Sequence, residues 1–62
     1  MKKWMVETRR DYTEAFDNYV GDYIEAETEE EAVEFAKAYF IKNGCDPEEV
    51  EEWEHQAKEY WH

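Results

Sequence analysis

Glu51, His55 and Glu59 recur at four-residue intervals, so a helix would place two carboxylates and an imidazole on one face. That donor set suits a divalent metal at a surface. The simpler reading is a solvated helix face, and no metal site is assigned. Cys45 is the single thiol. A nucleophilic role needs a nearby base and a lowered pKa, and no histidine is close to it in sequence, so a buried structural thiol is expected. Paired carboxylates can act as acid and base. A chain of 62 residues leaves little room for the pocket of about 300 Å³ or more that such chemistry uses. The glycine patterns of phosphate loops, dinucleotide folds and serine hydrolases are missing. The expectation is a non-enzymatic protein with no catalytic residue, metal or cofactor.

The chemistry that remains is charge. Eighteen acids against seven bases give a net charge of −11. For a small domain a magnitude of about 2–8 is ordinary, and self-repulsion at this level costs stability. The first ten residues hold four bases and one acid, so the other 52 carry −14. Position explains part of this charge. Glu29, Glu30, Glu31, Glu48 and Glu49 lie in predicted first helical turns, where the helix dipole favours anions. Asp22, Glu25, Glu27, Glu34, Glu51, Glu52 and Glu54 have no such local reason and are the candidate partner-binding acids. They suit a basic protein surface, such as that of a nucleic-acid-binding protein, with carboxylates standing in for phosphates. Direct binding to nucleic acid or to anionic lipid is not expected. His62 is expected to be free.

Aromatic residues are the second lead. Three Trp, five Tyr and three Phe can each bury roughly 150–250 Å². A chain this short buries only about 60% of its unfolded surface, and one cysteine excludes an internal disulfide. Aromatic packing is therefore the expected stabiliser. Met5, Tyr19 and Tyr23 are expected to share the outer face of a sheet, and Ile41 the polar side of a helix. Those four are candidate apolar contacts, for a partner or for a homodimer.

The elements that position these residues read as follows. Residues 2–9 alternate, with Trp4, Val6 and Thr8 on one face and Lys3, Met5, Glu7 and Arg9 on the other, which predicts a strand. Residues 10–18 form a long connection whose Tyr12 and Phe16 fold back on the core. Residues 19–27 form a second strand with a bulge at Gly21. Thr28 and Glu31 make a capping box, with the carboxylate reaching back to the Thr28 amide. The helix they start runs to about Lys42, with an apolar stripe of Ala32, Phe35, Ala36, Tyr39 and Phe40 and with Val33 at its edge. Gly44 ends it as a left-handed residue, with Cys45 meeting Phe40. Asp46 caps a second helix with Pro47 in its first position and Glu49 completing a box. Val50, Trp53, Ala57, Tyr60 and Trp61 follow at helical spacing, which predicts a helix to the chain end.

The fold expected from this order is a single α+β domain over residues 1–62. An antiparallel β-hairpin is followed by two amphipathic helices (ββαα) packed on one sheet face. Two strands alone make a weak sheet, and its edges stay open to another chain. No apolar run is long enough to span a membrane, and no export signal is evident, so a cytoplasmic location is expected. In size and acidity the chain resembles the class of small phage and mobile-element inhibitors that includes anti-CRISPR and antirestriction proteins. That resemblance is one of composition and assigns no residue. It implies a DNA-mimic inhibitor that occludes a basic nucleic-acid-binding surface. The other expectation is a structural or assembly module that homo-oligomerises through its aromatic sheet face or an open strand edge.

Overall fold

A computed structural model describes residues 1–60; Trp61 and His62, and the roles expected of them, lie outside the described residues. The chain is a mixed α+β fold. A three-stranded antiparallel sheet, in the order β2-β1-β3, carries two helices. Alternation forms β1 (Lys2–Arg9) as predicted, with Trp4, Val6 and Thr8 buried.

The second strand is shorter than predicted. β2 spans Ile24–Ala26, not residues 19–27. Asp17 bridges Thr8 on β1, and Ile24 pairs with Trp4. Six residues, 18–23, therefore stand where three of β1 need partners. The chain loops out instead of making a one-residue bulge. Local polar groups hold the loop: Asp17 Oδ1 accepts from the Asn18 amide at 2.8 Å, and Asn18 Oδ1 from the Gly21 amide at 3.0 Å. Gly21 sits at φ +84°, a conformation that only glycine adopts without strain.

α1 spans Glu29–Lys42. Thr28 Oγ1 accepts from the Glu31 amide at 3.2 Å, as the capping box predicts. The Glu31 carboxylate accepts from the Glu27 amide instead of that of Thr28, so the box is one residue longer. Gly44, at φ +99°, ends the helix. The Cys45 amide donates to the Phe40 carbonyl at 3.0 Å, and that of Gly44 to Ile41 at 3.1 Å. Those two bonds define the predicted glycine-terminated end.

The apolar stripe of α1 is narrower than predicted. Ala32, Ala36 and Phe40 are buried, one turn apart, while Phe35 is 61% exposed and Tyr39 41%. A sheet whose β2 has three residues does not reach under Phe35.

The largest correction concerns the C-terminal third. α2 spans only Pro47–Glu52. Trp53 turns to an extended conformation (ψ 154°), and β3 (Glu54–Glu59) pairs antiparallel with β1 from Arg9↔Glu54 to Trp4↔Glu59. The order is ββααβ. Ala57 and Tyr60, three apart, suit one helix face; in a strand they fall on opposite faces, with Ala57 against the core and Tyr60 beside Tyr23. The free edge of β1 decides between them. Its unpaired amides and carbonyls gain a full ladder from β3, whereas continuing α2 would add only exposed turns.

α1 packs against all three strands and α2. The core between them is Trp4, Val6, Ile24, Ala26, Ala32, Ala36, Phe40 and Val50, with Val20, Cys45, Trp53 and Ala57 against it. Among the described residues every buried side-chain polar atom is paired. Trp4 Nε1 donates to the Ala26 carbonyl at 3.0 Å, which ties β1 to β2. His55 lies 2.9 Å from Thr8 Oγ1 through Nδ1 and 3.0 Å from the Val50 carbonyl through Nε2, which ties β3 to β1 and to α2. No helix among the described residues is long and apolar enough to cross a membrane.

Candidate interaction surface

The sheet and the helix caps divide the expected site residues into separate groups. β1 alternation places Lys3, Met5, Glu7 and Arg9 on the face turned away from α1, beside Glu54, Gln56 and Lys58 of β3. Cross-strand pairs cover much of this face. Lys58 Nζ lies 3.0 Å from Glu7, and Gln56 Nε2 donates to the same carboxylate at 3.1 Å. These partners, led by Lys58, hold the Glu7 carboxyl below its ordinary range. Arg9 donates through Nε and Nη2 to Glu54 Oε2 at 3.0 and 2.7 Å, and its guanidinium lies 4.6 Å from the centre of the Phe16 ring.

Tyr23 joins this face as expected. Its ring centre lies 4.2 Å from that of Tyr60. Desolvation first, and then the neighbouring Tyr60, hold the Tyr23 hydroxyl above its ordinary range. Met5 is half-buried. Tyr19 belongs elsewhere, which corrects the expectation of a shared patch. The Arg10 guanidinium lies 5.4 Å from the Tyr19 ring centre and 4.9 Å from that of Trp53. Trp53 meets Phe40 edge-on at 5.5 Å, so Tyr19 ends a string leading to the core. Tyr19 left the outer face because the loop after Asp17 broke the strand that would have carried it there. Of the two loop aromatics expected to fold back, Phe16 is half-buried and Tyr12 is 78% exposed. Ile41 is 41% exposed on α1.

The acids separate in the same way. Lys37 pairs with Glu34 at 3.7 Å within α1 and with Glu51 at 3.3 Å across to α2, so Glu51 fastens α1 to α2 and Glu34 only braces the same lysine. Glu54 is held by Arg9, on β3 and not on a second helix face. Glu25 stands across from Lys3 in the β1–β2 register. Asp22, Glu27 and Glu52 are exposed and have no ion-pair partner among the described residues. Four of the seven bases, Lys2, Arg9, Lys37 and Lys58, are ion-paired, and they engage five acids. The other 13 of the 18 acids have no ion-pair partner among the described residues. Ten of them lie in two groups, at β2 and the start of α1 (Asp22, Glu25, Glu27, Glu29, Glu30, Glu31) and around α2 (Asp46, Glu48, Glu49, Glu52), and Asp11, Glu14 and Asp17 lie in the loop after β1. The 14-residue α1, about 20 Å long, separates the two groups.

The spacing of Glu51, His55 and Glu59 does not survive folding. His55 is on β3 with both ring nitrogens engaged, Glu51 pairs with Lys37, and Glu59 lies 4.0 Å from Lys2. No group of three metal-ligating side chains occurs among the described residues. Cys45 is half-buried against the core.

One feature escaped the sequence reading. Phe35 and Met1, 61% and 84% exposed, flank the free side of β2 and line a surface depression with Tyr23, Ile24, Glu25 and Glu31. Phe35 fits a helical stripe and reads as core; only the one-turn spacing of Ala32, Ala36 and Phe40 hints that it sits to one side. Comparison with protein-family models, curated proteins and solved structures found no match to this chain.

Proposed function

We propose that this chain is a small, non-enzymatic protein-binding module whose acidic surface occludes a basic, nucleic-acid-binding surface on another protein. Its role would be that of an inhibitor, as in the phage and mobile-element class that its composition resembles. One observation carries the reading: the bases are largely consumed internally and the acids are not. Thirteen acids have no ion-pair partner among the described residues, and ten of them gather at two sites. Caps and helix dipoles account for Glu29, Glu30, Glu31, Asp46, Glu48 and Glu49, whereas Asp22, Glu25, Glu27 and Glu52 have no such local reason. Carboxylates carried on a short strand and on capped helix starts are brought together by the backbone, so they can complement an array of Lys and Arg.

The test is association with purified basic nucleic-acid-binding proteins from the same source, measured at 50 and 500 mM salt with duplex DNA as competitor. The reading expects a partner whose affinity falls at least tenfold at the higher salt and which DNA displaces. Partners that bind equally at both salts, or together with DNA, would refute it. A second reading is an assembly module that self-associates through the outer face, favoured by the exposed Tyr23. It expects a stable homodimer that is lost in Tyr23→Ala, and a monomer at millimolar concentration would exclude it.

A further inference from the structure

The free side of β2 and the start of α1 form one groove. Two adjoining depressions, of about 430 and 470 Å³, share Glu31 and Phe35. The first runs past Ile24 and Ala26 to Met1; the second follows Thr28, Glu30 and Glu34.

Backbone alternation shows what β2 offers to this groove. The Tyr60 amide donates to the Lys3 carbonyl at 2.8 Å, so Lys3 directs its backbone groups toward β3. Lys2 and Trp4 direct theirs toward β2, to Ala26 and Ile24. Glu25 must then point its N–H and C=O away from the sheet, along the groove. The next amide that points outward, that of Glu27, is already held by Glu31 at 3.2 Å. The free edge is therefore short and centred on Glu25.

We propose that this groove takes an extended basic segment of a partner protein, added as a fourth strand beside Glu25. Main-chain bonds to Glu25 would give affinity, and alternate side chains would give specificity. One side of the added strand meets the exposed Phe35 ring and favours apolar residues. The other side meets Tyr23 and the Glu25 carboxylate, so it favours Lys or Arg, and Glu30 adds charge at the helix rim beside Phe35. A second copy of this chain is the wrong occupant. It would bring the same acids, and a charge of −11, against themselves. The proposal rests on the acidic-surface reading and narrows it to one of the two acidic groups.

The probe is the end-blocked peptide Lys-Val-Lys-Val-Lys-Val-Lys, titrated into the full ¹⁵N-labelled chain at 20 mM salt. Lys-Pro-Lys-Pro-Lys-Pro-Lys is the control, with equal charge but no strand-forming backbone. The expected result is shifts at Glu25, Glu27, Glu31 and Phe35 with the valine peptide, and slowed exchange of the Glu25 amide. The proline peptide should bind at least fivefold more weakly, and Phe35→Ser should lose affinity by a similar factor. Phe35 is exposed, so this variant should keep the circular dichroism of the parent. Equal binding of both peptides, an unaffected Phe35→Ser, or concentration-dependent shifts at Glu25 without peptide would overturn the proposal. Shifts confined to Glu48, Glu49 and Glu52 would also overturn it but leave the acidic-surface reading standing. If neither peptide binds at 20 mM salt, both fall.

Discussion

β1 has two neighbours that differ in every respect that matters for stability. β3 pairs with it over six positions. That flank carries the Glu7–Lys58 and Arg9–Glu54 ion pairs and the Thr8–His55–Val50 chain of hydrogen bonds. β2 pairs over three positions and is preceded by a looped-out segment. One bond to the Trp4 ring supports it, and its far side is open. The difference shows how a marginal domain can divide its labour. Interactions that resist unfolding gather on one flank, and unpaired backbone, the exposed Phe35 ring and one of the two groups of unneutralised acids lie on the other. Low local stability is common where a protein binds.

Substitutions should reveal the two flanks separately. The largest effect belongs to the residue that serves both. Trp4→Ala should cost about 3–5 kcal/mol. A single core of this size rarely supplies more than about 3–5 kcal/mol in total, so the variant should lack a cooperative urea transition. A sharp transition near that of the parent would show that the two flanks do not depend on Trp4.

Thr8→Val should act on the strong flank. It keeps the shape of a fully buried side chain but leaves His55 Nδ1 without its partner, at a cost of about 1–3 kcal/mol. Hydrogen exchange should accelerate most at residues 54–59. Faster exchange at β2 alone would reverse the comparison.

Gly21→Ala should act on the weak flank. An added Cβ would meet nothing within 4 Å, so the cost is backbone strain at φ +84°, about 1 kcal/mol. Exchange should rise at residues 24–26 and stay unchanged on β3. Equal loosening of both strands would mean that the sheet opens as one unit.

The smallest effect is that of Glu7. Its carboxyl is held below its ordinary range by Lys58 and Gln56. A depressed carboxyl contributes stability that is present above its unfolded value, near pH 4.5, and is lost as pH falls through the folded value. For so exposed a lysine partner this amounts to about 0.2–1 kcal/mol. Between pH 5 and 3, Glu7→Gln should therefore lose less stability than the parent. Parallel pH curves for the two proteins would remove Glu7 from the account of the strong flank.

Much of this organisation was legible in the sequence because it is local. Thr28, Asp46, Pro47 and Gly44 mark helix ends through bonds spanning a few residues, and those ends formed nearly where the residues placed them. β1 was equally clear, since Trp4, Val6 and Thr8 alternate without interruption. The charge excess was visible as composition, but its sorting was not. Whether Glu51 and Glu54 are free depends on Lys37 and Arg9, which lie 14 and 45 positions away.

The sequence by itself determined the first strand, the caps, the extent of α1 and the acidity. Each follows from neighbours within about four residues along the chain or from composition alone. Only the tertiary structure decided the fate of residues 53–60, because their apolar spacing suits a helix and the partner that makes them a strand lies 45 to 55 positions away in the chain. The free edge of β1 made the choice by pairing its backbone. It also decided which aromatic residues are surface. Phe35 became exposed because β2 is short, and β2 is short because the side chains of Asp17 and Asn18 and the backbone of Gly21 loop the chain away from β1 before it returns at Ile24.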